Sequence, residues 1–245
     1  MSFPPMPPSS VPPMPPAALS LPVGAATAQS AARIEQAVRL RGETDTRFLN
    51  WWLFVFLVYW ITLGIGAIYF FYRRMSRIDA FSRRKLAYYQ GLVEYTEQRA
   101  AAAGLVVVRP ITDQLRADVG AASASALKPI GAGLNFLLVI ITFGLWGIVV
   151  YYKVNRAWDD RQRFEAHFDE GLSLAWLQMG MLRSPITFRV DEGKRRNFLV
   201  WLLASFVTFG LWAIVWDYRV WTDPDRLYPE FHVVEDAVLQ IIRTA

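Results

Sequence analysis

The amino-acid sequence predicts an all-α membrane protein: three repeated apolar helices, each followed by an amphipathic helix, behind a disordered proline-rich N-terminal tail. Three observations carry the prediction. Hydrophobic residues fill 54% of the 245 positions and aromatic residues 15%, yet they gather into blocks instead of recurring at core periodicity. Phe48 to Tyr72, Pro129 to Tyr152 and Phe198 to Trp216 are stretches of 25, 24 and 19 residues without a charge, and a bilayer core of about 30 Å takes roughly 20 apolar residues as helix. Finally, a twelve-residue pattern occurs three times, at the C-terminal end of each block.

The clearest copy of the pattern runs Thr142-Phe143-Gly144-Leu145-Trp146-Gly147-Ile148-Val149-Val150-Tyr151-Tyr152-Lys153. The third runs from Thr208 to Arg219, and the first, from Thr62 to Arg73, is looser. Without gaps, all three keep Thr, Gly at +2, a small residue at +5, Ile at +6, Tyr at +10 and Lys or Arg at +11. Gly64 with Ala67, Gly144 with Gly147, and Gly210 with Ala213 place two small residues on nearly one helix face. In lipid no hydrophobic force drives helices together, so such faces serve close backbone approach. Thr62, Thr142 and Thr208 can return a hydroxyl hydrogen bond to the preceding turn or offer it across a contact. These nine residues are the candidate helix-packing set. Tyr72 and Arg73, Tyr152 and Lys153, Tyr218 and Arg219, with Trp51 and Trp52 at the head of the first block, are the candidate membrane-interface anchors.

In chain order, residues 1–24 read as the tail: nine of the fourteen prolines fall within the first 22 positions, and no charge occurs before Arg33, so no core forms there. The tail lacks the basic start and continuous apolar run of a signal peptide. Residues 25–47 form a short amphipathic helix with Ile34, Ala37, Val38 and Leu40 on one side and Arg33, Arg39 and Arg41 towards water or headgroups. Repeat 1 spans 48–116; its amphipathic helix carries Met75, Ile78, Tyr88, Leu92 and Tyr95 on a stripe, with Arg83, Arg84 and Lys85 away from it. Residues 117–128 are rich in small residues and read as a linker. Repeat 2 spans 129–190, with Val154, Trp158, Phe164, Phe168, Leu172 and Trp176 on its amphipathic helix. Ser184-Pro185-Ile186-Thr187 echoes Arg109-Pro110-Ile111-Thr112. Repeat 3 spans 194–245; Asp223-Pro224 has the form of a helix N-cap and first turn, and Val234, Val238, Ile241 and Ile242 mark the last amphipathic helix.

Charge does not orient the chain. Alternating crossings would put thirteen Lys and Arg on each side, so the positive-inside rule gives no vote. Locally it conflicts, because blocks one and two both concentrate their bases C-terminally. Straight crossings are the simpler arrangement; the alternative is a set of re-entrant hairpins broken at the Thr-x-Gly centre, which must cover their turn backbone from lipid.

The composition excludes some chemistry and leaves little else. Without cysteine there is no disulfide or thiolate site, and the net charge of +5 is spread over loops in a way that suits lipid headgroups, not nucleic acid. No charge lies inside blocks one or two, which removes a buried proton relay. His167 with Glu165 and Asp169 has the wrong spacing for a metal on one helix face, His232 stands alone, and Asp159-Asp160 and Asp223/Asp225 lack the rest of a calcium loop. Catalytic and metal sites, cofactors and a small-molecule substrate are therefore not expected. The motif residues do resemble those of a bacterial membrane family of unknown function with repeated Thr-Phe-Gly-Ile-Tyr-x-Ile-x-Trp-x-Tyr-Lys segments, best at Thr142 to Lys153 and Thr208 to Arg219. That resemblance implies a multi-pass inner-membrane protein and assigns no catalytic residue.

The expected function is that of an integral membrane structural or assembly protein. It is expected to associate with itself or with a larger membrane complex, with its amphipathic helices mostly on the cytoplasmic face. A small-solute channel formed by oligomerisation, with Thr and carbonyls lining it, and a membrane-shaping wedge in one leaflet are the alternatives.

Overall fold

The computed structural model of the chain describes residues 24–45, 50–53, 61, 65–186 and 197–245. Among them the structure is helical, with no strand. Three long helices dominate: α4 (Ile65–Ala102), α7 (Trp146–Gln178) and α9 (Leu211–Thr244), of 38, 33 and 34 residues. Shorter elements precede them: α1 (Ala25–Arg39), α2 (Arg41–Thr44), α3 (Trp51–Leu53), α5 (Arg109–Ala124), α6 (Ala132–Ile141) and α8 (Phe198–Val207).

Each long helix begins three or four residues after a repeat Thr, and contacts between them fall at equal offsets from it. At +9 the Tyr151 hydroxyl donates to Asp217. At +19 the Arg161 guanidinium lies 5.2 Å over the Phe81 ring. At +23 Lys85 meets Glu165 at 3.1 Å, and its ammonium lies 4.6 Å from the Phe231 ring centre. At +34 Trp176 Nε1 donates to Thr96 Oγ1 at 2.9 Å. Equal offsets mean that the three helices run parallel and in register. All three contribute a buried residue at +16, +19, +23, +27 and +30, steps of three and four that make a coiled-coil-like seam.

The other helices fill the gaps between the long ones. Helix α1 packs on α4 and reaches α9, while α5 lies against both α4 and α7. Each meets its long helix at a glycine at +29: a Cβ on Gly91 would come within 2.9 Å of Ile34, and one on Gly171 within 2.9 Å of Leu115. Helices α1 and α5 are thus counterparts, each opening a repeat. The expected linker at 117–128 is accordingly helical as far as Ala124 and buries Val119 and Ala122. Its small residues have linker composition, but with Leu115 they recur at helical spacing and pack.

Two further expectations are corrected. Arg84 and Lys85 do not face away from the stripe but are buried, because acids from other helices meet them. Asp223-Pro224 does not start a helix; Pro224 and Pro229 both lie inside α9, and Pro224 packs in the bundle seam where the lost N–H bond is offset by burial.

Candidate membrane-inserting hairpins

The second and third apolar blocks are not single helices. Each is broken at Thr-Phe-Gly into a ten-residue first arm, α6 or α8, and the start of a long helix. Among the described residues no helix is long and apolar enough to cross a membrane.

The sequence builds the turn from its own groups. The Thr142 hydroxyl donates to Leu138 O at 2.8 Å and accepts from Trp146 N at 2.9 Å; Thr208 does the same with Ala204 O and Trp212 N at 2.7 and 2.9 Å. One side chain thereby ends the first helix and caps the second. Phe143 N bonds to Ile140 O and Gly144 N to Val139 O at 3.1 and 2.8 Å, a Schellman arrangement repeated at Phe209 and Gly210. Every backbone N–H from Thr142 to Ile148, and from Thr208 to Ala213, has an acceptor within its own hairpin. A turn that satisfies its own donors meets half of the requirement that lipid imposes on backbone.

The same turn carries strain. Gly144 and Gly210 have φ of 90° and 89°, and the preceding Phe143 and Phe209 have 49° and 51°. Glycine takes a positive φ freely; for phenylalanine it costs roughly 1–2 kcal/mol. Both residues are 99% exposed, so no packing among the described residues compensates them. A strained, fully exposed aromatic at the same place in two hairpins points to a function at the tip. Around each tip stand Leu145, Leu211, Ile141, Phe206 and Val207, all largely exposed.

The expected helix-packing residues are therefore reassigned. Thr142, Gly144, Thr208 and Gly210 form turns. Gly144 and Gly147 have open space where a Cβ would stand, Ala213 is exposed and Ala67 half-buried, so these faces do not pack on another helix among the described residues. Thr62 and Gly64 lie outside the described residues.

The anchor residues close a ring. Tyr72 stacks edge-on against Phe136 of α6 at 5.3 Å, Tyr152 against Phe198 of α8 at 5.2 Å, and Tyr218 against Trp51 of α3 at 5.2 Å. Tyr72 and Tyr152 thus each hold the next repeat's first arm, and Tyr218 holds α3. Trp52, Arg73 and Lys153 are exposed and Arg219 half-exposed. Trp51 departs from its expected place at the surface: it is buried, and its Nε1 donates to Asp217 Oδ2 at 2.6 Å. Asp217 also accepts from Tyr151 and from Trp221 Nε1, with Arg74 at 3.7 Å, and so ties all three long helices together where they leave the hairpins.

Sequence reasoning missed a second carboxylate of this kind. Asp79 of α4 accepts the N–H groups of Ile130, Gly131 and Ala132 at 2.5, 3.2 and 2.7 Å, fastening the start of α6 through its helix dipole. Asp79, Asp159 and Asp225 all stand at +17, a signal visible once the repeat is extended beyond twelve residues.

The bundle beyond the hairpins is organised by buried charge. Lys85 lies 3.1 Å from both Glu165 and Glu235, and Arg84 holds Asp45 and Glu235 at 2.6 and 3.0 Å. His232 Nε2 is 2.9 Å from Asp45. Burial opposes the charged forms, but Glu165 and Glu235 raise the Lys85 ammonium above its ordinary value, and the two bases hold Glu235 below the usual carboxylate range. Asp169, at +27, is pushed up to about 8 by burial, reinforced by Glu165.

No protein-family model matches this chain, and no curated protein or solved structure matches it. The likeness of its repeats to a bacterial membrane family rests on the motif residues alone.

Proposed function

We propose that this protein is a one-leaflet membrane protein, in which helical hairpins carrying phenylalanine tips enter one face of a bilayer and a polar, parallel bundle stands beneath them as a scaffold. The observation that carries the reading is the turn itself: backbone N–H groups that are all bonded within the hairpin, and an exposed Phe143 or Phe209 at its apex. Water rewards neither feature, whereas hydrocarbon favours the bonded N–H groups and the buried ring. The dimensions agree, since a ten-residue arm is about 15 Å long, half of a hydrocarbon core of about 30 Å. Insertion into one leaflet alone favours a structural or membrane-shaping role over passage of solute. The bundle axis is occupied by Phe81, Trp158, Arg161, Lys85 and Glu165, which argues against a pore along it.

The test uses the absence of native cysteine. Single cysteines replace the exposed residues Gln90, Gln178 and Thr244, one on each long helix, and a fourth replaces Phe143. A membrane-impermeant maleimide is then applied to the reconstituted chain from one face and then the other. The expected result is labelling of all three polar positions from one face, and of position 143 only after detergent. Labelling of position 178 from the face opposite to 90 and 244 would mean alternating crossings and sink the reading.

A further inference from the structure

Charge along the long helices is sorted by depth. From +9 to +14 they carry Arg73, Arg74, Lys153, Arg156 and Arg219 against one acid, Asp217. From +15 to +18 the balance reverses, with Asp79, Asp159, Asp160, Asp223 and Asp225 against Arg77 and Arg226. Arg74 turns inward to Asp217, and the in-register packing brings the three +11 residues, Arg73, Lys153 and Arg219, to one level as a collar.

The collar lies ten residues beyond each tip, about 15 Å along a helix. With the phenylalanines at the bilayer midplane, that is the edge of the hydrocarbon core, from which the long side chains of lysine and arginine reach the headgroup phosphates. Among the described residues the ammonium of Lys153 has neutral partners close by, Asn135 Oδ1 at 3.1 Å and the Trp146 ring at 5.6 Å. Arg156, a turn further on, is exposed and shares Asp160 at 3.4 Å.

We infer that the collar of Arg73, Lys153 and Arg219 binds the phosphates of anionic phospholipids. The acids of the next tier are turned to partners in the bundle, Asp79 to the start of α6 and Asp225 to Arg77 at 2.9 Å, so the collar is the level at which an anionic surface is attracted. The inference rests on the one-leaflet reading, but it concerns which lipid is chosen and not whether the hairpins enter.

Flotation of the full chain tests it, with vesicles of phosphatidylcholine alone and of phosphatidylcholine mixed with phosphatidylglycerol, at low and high salt. The expected result is tighter binding to the anionic vesicles by about fivefold per collar base, weakening with salt. In a chain carrying Arg73→Gln, Lys153→Gln and Arg219→Gln the ratio between the two vesicle types falls towards one, while circular dichroism reports the helix content. Equal binding of the native chain to both vesicles, or a preference unchanged in the triple variant, overturns the collar. Competition by inorganic phosphate beyond that of chloride at equal ionic strength would point to a free-phosphate site and also overturn it. Binding to anionic vesicles that carbonate washing reverses would instead count against hairpin insertion and leave the collar standing.

Discussion

The ammonium of Lys85 and the carboxylate of Glu165 each stand 23 residues after the threonine of their own repeat and meet at 3.1 Å in the interior of the bundle. A one-turn slip of either helix would part them and leave the Glu165 carboxylate buried and unpaired. The pair, shared with Glu235, therefore sets the register in which the hairpins are brought to a common end. Buried ionic contacts do this better than they stabilise, because desolvation takes back most of the attraction. Lys85→Met is expected to cost about 3–5 kcal/mol by leaving Glu165 buried and unpaired, while Glu235 keeps Arg84. A chain carrying both Lys85→Met and Glu165→Leu recovers part of that loss. Urea unfolding followed by circular dichroism measures both.

Asp169 gives the bundle a pH dependence of definite sign. Its folded-state pKa of about 8 lies far above the ordinary value of 3.8, so the folded chain holds a proton that the unfolded chain releases. Stability from this group is present below pH 4, is lost as pH rises towards 8, and is flat beyond. Asp169→Asn is expected to match the native chain near pH 4 and to exceed it at pH 8. The difference between the two chains grows by at most about 1.4 kcal/mol per pH unit. Parallel slopes in thermal unfolding of the two chains between those pH values would rule this out.

Phe143→Gly and Phe209→Gly are expected to act in opposite directions on folding and on membrane binding. Each relieves a left-handed phenylalanine and so raises bundle stability by up to about 1 kcal/mol. Each also removes an apolar tip worth about 1.5–3 kcal/mol on burial, so partition into vesicles falls by an order of magnitude or more. Unfolding and flotation of the same preparations decide between this outcome and a purely structural turn, in which both quantities would move together.

Thr142→Val keeps the shape of the side chain and removes the hydroxyl that serves both arms. The Trp146 N–H then loses its acceptor, at a cost of about 1–3 kcal/mol in a desolvated turn. Thr142→Ser restores the hydroxyl and most of the stability. Loss in the serine chain equal to that in the valine chain, read by thermal melts in detergent, would show that packing and not the hydroxyl matters.

The legible part of this fold was whatever depends on period and composition. The stripe of Met75, Ile78, Tyr88, Leu92 and Tyr95 is buried as its spacing indicates, as are Ile34, Ala37 and Val38 on α1. Arg84 and Lys85 were misjudged because their partners Asp45, Glu165 and Glu235 come from elements far away in sequence, and a helix pattern read alone places charge in water. The break at Thr-x-Gly was legible only as the alternative to straight crossings. A charge-free block of 24 residues has the length of a crossing, and what breaks it at Thr142 is a hydroxyl that both donates and accepts and two successive positive φ values, features of geometry that hydropathy does not carry. Gly144 and Gly147 look like a packing face by spacing, whereas the backbone at Gly144 uses its glycine to turn.

A hairpin returns to the side from which it came, and this bears on how such a chain reaches its place. The arms α6 and α8 run out to Phe143 and Phe209, and the long helices bring the chain straight back, so no arginine, lysine or acid has to be carried through hydrocarbon. On the one-leaflet reading these two hairpins have no second face to choose, and the even split of bases ceases to matter for them. Their insertion is then a matter of adsorption and wedging from one side.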